Sequence, residues 1–417
     1  MLEEDPLETV FESFLSTPKI FKNRDALRPT YIPDKLPHRD NQIRQLGQIL
    51  ATVLKSGIPS NILLYGKTGT GKTAVCKYVL QRLKIKTSEL NLSLQFCYMN
   101  CQIVATNYGV FRNLCESLDL SVPHTGLATA TIFTKFQTAL DLHDTLFVII
   151  LDEIDRLVRK NGDEMLYNLT RINTDLQNAK ISLIGISNDL KFKESLDPRV
   201  LSSLSEEEIV FPPYKALELQ DILNERAKTA FFDSTIDPSV INLCAALAAR
   251  EHGDARRALD LLRVAGELAE REGQIRVTEP FVRKAKNVIE RNTVLEVITT
   301  LPLQSKLVLY AIYLLEHFDV KQIVTGEVYE IYSNICKELN VDPLTQRRIS
   351  DLINELDMLG IVNAKVVNLG RYGRTKKIRL AIHLSQLANM LDEDVQISQI
   401  QNSISKLTQT RLTNLLK

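Results

Sequence analysis

The chain has 417 residues, enough for two or three domains, and its 51 basic and 51 acidic side chains cancel to a formal net charge of zero. That balance excludes a globally basic nucleic-acid coat, so any such partner must be addressed by local patches. The hydrophobic fraction of 44% is ordinary for a globular chain, no apolar run reaches the length of a membrane span, and the six cysteines contain no C-x-x-C pair. These thiols are expected to be reduced core groups of a cytosolic protein, and no zinc ligand set can be assembled from them. The acidic start, MLEEDPLETVFESFL, is unlike a basic secretory leader, so export is not expected.

In chain order, the first strong signal is NILLYGKTGTGKTAV, residues 61–75. The apolar run reads as a buried parallel strand. Gly66, Lys67, Thr68, Gly69, Thr70 and Gly71, followed by Lys72, Thr73 and Ala74, then fit the phosphate-binding loop pattern. Glycines let backbone N–H groups converge on phosphate oxygens. Lys72 would meet the β and γ phosphates of ATP, and Thr73 would offer its hydroxyl to Mg²⁺. A helix follows, its positive N-terminal end aimed at the same phosphates. LFVIILDEIDRLV begins with a second buried strand, 146–151, ending in Asp152 and Glu153. Asp152 would hold the metal, and Glu153 would act as general base toward water. The competing reading is an acidic turn capping the helix near Ile154. A third strand, ISLIGISND, ends at Ser187 and Asn188, and Asn188 could position water or touch the γ-phosphate, although an Asn after a strand is also a common turn residue. Three such strands with helices between them predict an α/β core with a doubly wound parallel sheet and the site at the strands' carboxyl ends.

Beyond FPPY (211–214) the pattern becomes all-helical to about residue 292. Within it, EHGDARRALDLLR has Gly253 to break one helix, Asp254 to cap the next, and Arg256 in the first turn, where it could reach back to the nucleotide, a solvated helix arginine being the plain alternative. The last third reads helix, helix, helix, hairpin, the order of a winged helix. In TQRRISDLINELDMLG, Ile349, Leu352, Ile353, Leu356 and Leu359 share one helix face, and Arg347, Ser350 and Asn354 share the opposite one. The hairpin carries Lys365, Arg371, Arg374, Lys376, Lys377 and Arg379 with no acidic residue from 365 to 379, and Tyr372 between arginines. A solvated basic loop is the plain alternative to a DNA-binding wing formed with Arg371, Tyr372, Arg374 and Lys376.

The order of these motifs resembles the AAA+ ATPases. With the helical lid and the C-terminal winged helix, the chain resembles the archaeal replication initiators. These are relatives of the largest origin recognition complex subunit and of the cell-division-cycle helicase-loading factor. The likeness runs through YIPDKLPHRDNQI, GKTGTGKT, LDEID, LDPRVLSSL, FPPY, GDARRAL and RRISDLINELDMLGIV. It implies an ATPase domain over 1–213, a lid over 214–297, a winged-helix domain over 298–385 and a helical tail over 386–417. It makes Asn188 the first sensor, Arg256 the second, and Arg199 an arginine that reads a neighbour's γ-phosphate, where an ordinary helix-start arginine is the alternative. Tyr31, Pro37, His38 and Arg39 would lie near the adenine, and Tyr214 counts with the nucleotide-binding residues. A helical insertion at 121–136 would touch DNA, with Lys135 its cation. The implied activity is slow ATP hydrolysis used as a switch by a cytoplasmic, nucleoid-associated prokaryotic protein. Its expected partners are double-stranded origin DNA, the replicative helicase and further initiator copies or paralogues, with no membrane. A clamp loader would normally lack the winged helix. A branch-migration motor has one, but YIPDKLPHRD and TGLATATIF fit the initiators better. A signalling NTPase regulating transcription remains the non-replication alternative.

Overall fold

The structure, a computed structural model, describes residues 19–143, 145–368 and 374–384, with 387, 388 and 391. It divides into two compact units, residues 1–285 and 286–417.

The first unit is built on a five-stranded parallel sheet. In chain order come α1 (Asp40–Leu50), β1 (Ile62–Tyr65), α2 (Lys72–Glu89), β2 (Leu94–Asn100), α3 (Cys101–Val104), α4 (Asn107–Glu116) and α5 (Thr129–Asp141). Then follow β3 (Leu146–Asp152), α6 (Ile154–Asn161), α7 (Glu164–Arg171), β4 (Lys180–Ser187), α8 (Pro198–Leu204) and β5 (Glu207–Val210). The strand order is β2-β3-β4-β1-β5. The three strands expected from apolar continuity, β1, β3 and β4, are its centre, and their burial on both faces explains those runs. Alternate residues serve the two faces. Leu63, Ile149, Leu151 and Leu183 pack against the α4–α8 side, whereas Ile62, Leu64, Val148, Ile150, Ile184 and Ile186 pack against α1 and α2. The edge strands β2 and β5 escaped the sequence reading for a physical reason. β2 is only half buried, and β5 buries Ile209 alone.

The same unit continues into helices α9 (Ala216–Ala230), α10 (Pro238–Arg250) and α11 (Ala255–Arg271). Segment 20–24 closes on them. Phe21 stacks on Phe231 with centroids 4.7 Å apart, and Arg24 pairs with the buried Glu270. The expected break between α10 and α11 is present: Gly253 has φ +70°, and the Asp254 side chain accepts the N–H groups of Arg256 and Arg257.

The chain leaves this unit within α12 (Glu279–Thr300). The second unit comprises α13 (Leu303–His317), β6 (Ile323–Val324), α14 (Thr325–Glu338), α15 (Gln346–Met358), β7 (Val362–Asn368) and β8 (Arg374–Leu380). Its antiparallel sheet has the order β6-β8-β7, a winged helix, and two-residue β6 is too short to show in sequence. Ile349, Leu352, Ile353 and Leu356 are buried as their spacing requires. Leu359 corrects the expected stripe: α15 stops at Met358, and Leu359 is 48% exposed. Leu387 and Leu391, from the region expected to be a tail, are buried in this unit's core, and most of 386–417 lies outside the described residues.

All six cysteines are buried and free, and burial raises the thiol pKa of Cys76, Cys97, Cys101, Cys115, Cys244 and Cys336. Among the described residues, no group of three or more His, Cys, Asp and Glu side chains is placed to hold a metal ion, and no helix is long and apolar enough to cross a membrane.

Candidate nucleotide cleft and winged-helix surface

A cleft of about 370 Å³ opens at the carboxyl end of β1 and β3. Its floor is Gly69, Thr70, Gly71, Lys72, Thr73 and Ala74. The apolar β1 delivers the chain to Gly66, and Gly69 and Gly71 hold φ +67° and +91°, left-handed values that suit glycine. Lys72 is 4% exposed, and its ammonium donates to the carbonyls of Gly66 at 2.8 Å and Lys67 at 2.7 Å. Burial lowers its pKa to about 8; Asp152 opposes that shift, and the Arg256 charge adds to it. Arg256, which lines the cleft, is therefore within electrostatic reach of the loop lysine.

Asp152 and Glu153, at the end of β3, line the same cleft, as does Asn188 at the end of β4. Asp152 is 5% exposed. Its Oδ2 accepts the Thr73 hydroxyl at 2.8 Å and the Tyr98 hydroxyl at 2.7 Å, and its Oδ1 accepts the Glu153 N–H at 3.0 Å. Burial and the neighbouring carboxylate push the Tyr98 phenol up, so it stays a donor. Glu153 sits at φ 56°, ψ 41°, a left-handed conformation that costs a non-glycine residue about 1–2 kcal/mol and tends to mark functional positions. Its side chain makes no capping bond to α6, which removes the helix-cap alternative for this residue. Its Oε2 is buried without a hydrogen bond, although Arg156 Nε lies 3.5 Å away as an ion pair. An acceptor-only carboxylate beside a threonine hydroxyl is the oxygen chemistry that Mg²⁺ requires, so these residues fit that ion.

The turn after β4 is fixed from α6. Asp155, 8% exposed, accepts the Ser187 hydroxyl at 3.2 Å and the Asn188 N–H at 3.1 Å through one oxygen, Oδ1. Arg159 pairs with Asp189 at 2.8 Å. The helical layer closes on the floor directly: Ala255 N–H donates to the Gly69 carbonyl at 3.1 Å. A Cβ on Gly69 would fall 1.6 Å from Asp254 Oδ1.

The far wall is formed by residues 29–37, which include Tyr31 and Pro37, and by Ile222, Arg226 and Leu259. Arg226 donates to the carbonyls of Ala26 at 3.0 Å and Tyr31 at 3.1 Å, with its guanidinium 4.8 Å from the Tyr31 ring centroid. The sequence reading did not single it out. Two expected neighbours of the base are engaged elsewhere. His38 Nε2 meets Asp221 of α9 at 2.8 Å. Arg39, 2% exposed, donates to the carbonyls of Thr70 at 2.8 Å, His38 at 2.9 Å and Pro212 at 2.7 Å, while lying 3.7 Å over the Tyr214 ring. Burial lowers its pKa from the ordinary value. Arg39 thus staples the phosphate loop to the segment leading into α9. Tyr214 itself lines the cleft. Arg199 does not line this cleft; its side chain is 67% exposed, in a two-pronged pair with Asp197 at 3.1 Å.

Lys135 is exposed on α5, whose other face buries Ile132, Phe136 and Leu140. In the second unit, Arg347 and Asn354 are exposed on α15. Arg347, Ser350 and Lys376 line a cleft of about 460 Å³ with Thr325, Gln346, Val366 and Thr375. Lys376 Nζ donates to the Ser350 carbonyl at 2.8 Å and hydroxyl at 2.6 Å, so these two tie the hairpin to α15. Burial lowers the Lys376 pKa. Arg371 and Tyr372 lie outside the described residues, and of Arg374 only the backbone pairing to Asn368 is described.

Comparison with known proteins agrees with this architecture. Residues 59–191 match the AAA domain family, residues 220–287 the Cdc6 AAA+ ATPase-type lid domain, and residues 296–390 the CDC6 C-terminal winged helix domain. An ORC1-type DNA replication protein of Pyrococcus furiosus is 55% identical over 410 residues, 97% of this chain and 98% of that one. ORC1-type DNA replication protein 1 of Archaeoglobus fulgidus is 50% identical over 408 residues, 98% of this chain and 99% of its own. The solved structure of the Aeropyrum pernix ORC1 protein in complex with DNA has 47% identity and a TM-score of 0.83, covering 91% of this chain and 99% of that one.

Proposed function

The chain belongs to the ORC1-type DNA replication proteins, and from that premise we propose that it is an ATP-switched initiator acting on double-stranded origin DNA. The observation that carries the nucleotide half is the convergence of Lys72, Thr73, Asp152, Glu153, Asn188 and Arg256 on one cleft. Lys72 gives up its two loop carbonyls to meet the β and γ phosphates. Thr73 and Asp152 hold Mg²⁺, which when bound neutralises charge on the phosphate oxygens. Glu153 takes the proton of the attacking water through its buried, unbonded Oε2. Asn188, fixed by Asp155, orients the γ-phosphate or the water. Arg256 shields charge from the helical layer, so the nucleotide state reaches α11. Tyr31, Pro37 and Tyr214 form the wall nearest the base, and Arg39 supports the loop. Arg199 acts on a neighbouring copy, its Asp197 partner being exchanged for phosphate. Hydrolysis is slow and serves as a switch, and helicase recruitment follows from the ATP-bound form.

The DNA half rests on the exposed face of α15 and on the hairpin. Arg347 and Asn354 address base edges in the major groove, and Arg371, Tyr372 and Arg374 grip the backbone or the minor groove. Lys376 and Ser350 set the angle between helix and wing, and Lys135 adds a phosphate contact from the ATPase domain. Footprinting the purified protein on its source genome tests this directly: protection clustered at one or a few sites beside a replication origin is expected. Sites scattered over promoters would instead favour a transcriptional regulator.

A further inference from the structure

Asp152 accepts three donors. The Thr73 hydroxyl and the Glu153 N–H account for one bond to each of its oxygens. The third donor, Tyr98, comes from the edge strand β2 and reaches Oδ2 at 2.7 Å. Tyr98 lies two residues before Asn100, the residue opposite Asp152 in the β2–β3 register. Its ring is held in turn by α2: Lys77 Nζ lies 4.2 Å from the ring centroid, and Lys77 also lines the cleft. Tyr98 therefore links the edge strand, the helix that follows the phosphate loop, and the carboxylate between them.

We propose that Tyr98 is a positioning residue for the metal–nucleotide complex, acting through Asp152 without touching the nucleotide. The inference rests on the reading of the cleft as an ATP–magnesium site. An aspartate carboxylate turns broadly about its last bond, so a single donor on each oxygen leaves its plane loosely set. A phenol donating to a carboxylate is a short, charge-assisted bond, stronger than a neutral one. While Oδ2 stays in place, the Thr73 hydroxyl spends its proton on it and keeps its lone pairs for a cation. If Oδ2 swings, that proton turns with it and the hydroxyl loses its aim. Tyr98 is the group that prevents the swing. Partners of this kind, one bond removed from a metal, typically change metal affinity about 10-fold or more when lost.

Tyr98→Phe keeps the ring and the Lys77 contact and removes only the donor. In the full chain, binding of a fluorescent ATP analogue is titrated with Mg²⁺ and, separately, measured in excess chelator. The expected result is an Mg²⁺ half-saturation point raised about 10-fold, with affinity in chelator equal to wild type. An unchanged half-saturation point would overturn the inference, and so would an equal loss with and without Mg²⁺, which is the mark of a merely structural tyrosine. In an Asp152→Ala background, Tyr98→Phe should add nothing further, and an additional loss would show that Tyr98 acts elsewhere. A wild-type protein that bound the analogue with no Mg²⁺ dependence would instead overturn the cleft reading, and this inference with it.

Discussion

On the proposed reading of the cleft, the buried loop lysine is expected to make nucleotide affinity fall as pH rises above about 8. In the nucleotide-free protein, burial lowers the Lys72 pKa from 10.5 to about 8. Phosphates in contact with the ammonium restore the charged form, returning the pKa toward its ordinary value. Binding between about pH 8 and pH 10.5 therefore takes up a proton, and affinity must fall as pH rises. At pH 9 only about one free molecule in eleven carries the proton, so the affinity is about ten-fold weaker than at neutral pH. Stability of the nucleotide-free fold moves the other way. The folded state has the lower pKa and binds fewer protons than the unfolded chain, so stability rises over the same window as the buried charge is relieved. Isothermal titration at pH 7 and pH 9, in buffers of different ionisation enthalpy, reads both affinity and proton uptake, the latter expected at about 0.9 per ATP at pH 9. Lys72→Arg, charged throughout, should abolish the pH dependence. An affinity constant from pH 7 to pH 9 with no proton uptake would refute the argument.

Four further outcomes are expected. Glu153→Gln should bind ATP as tightly as wild type and fail to turn it over; single-turnover rates on pre-bound ATP check this, and an unchanged rate would remove Glu153 as the base. Arg39→Ala should lower stability by about 3 kcal/mol or more in urea titrations, because the carbonyls of Thr70, His38 and Pro212 lose a buried donor; a loss below about 1 kcal/mol would mean that water replaces the guanidinium. Asn354→Ala or Arg347→Ala should cost about 1–3 kcal/mol on origin DNA and little on random duplex, whereas Lys376→Met should reduce the distinction between the two DNAs with little change in salt slope. Binding titrations at several salt concentrations on both duplexes would decide between these roles.

The sequence by itself determined what is local or periodic. Phosphate-loop spacing, carboxylates at the end of an apolar run, the Gly253–Asp254 helix break and the α15 stripe from Ile349 to Leu356 each depend on neighbours a few residues apart, and each is present in the structure. The motifs also carried the family, because their order along the chain is part of the sequence. What lay beyond was set by partners far apart in sequence. The edge strands β2 and β5 are half exposed, so burial imprinted no continuous apolar run on them. Arg39 belonged to a motif placed near the base, yet two of its three carbonyl partners lie 31 and 173 residues away, and that separation decided that it braces the loop. Tyr98 stands in an unremarkable edge strand, 54 residues before the aspartate it holds. Only the in-register pairing of β2 with β3 brings the two together, because strand neighbours in a parallel sheet are chosen by helix packing across its faces and not by the composition of either strand.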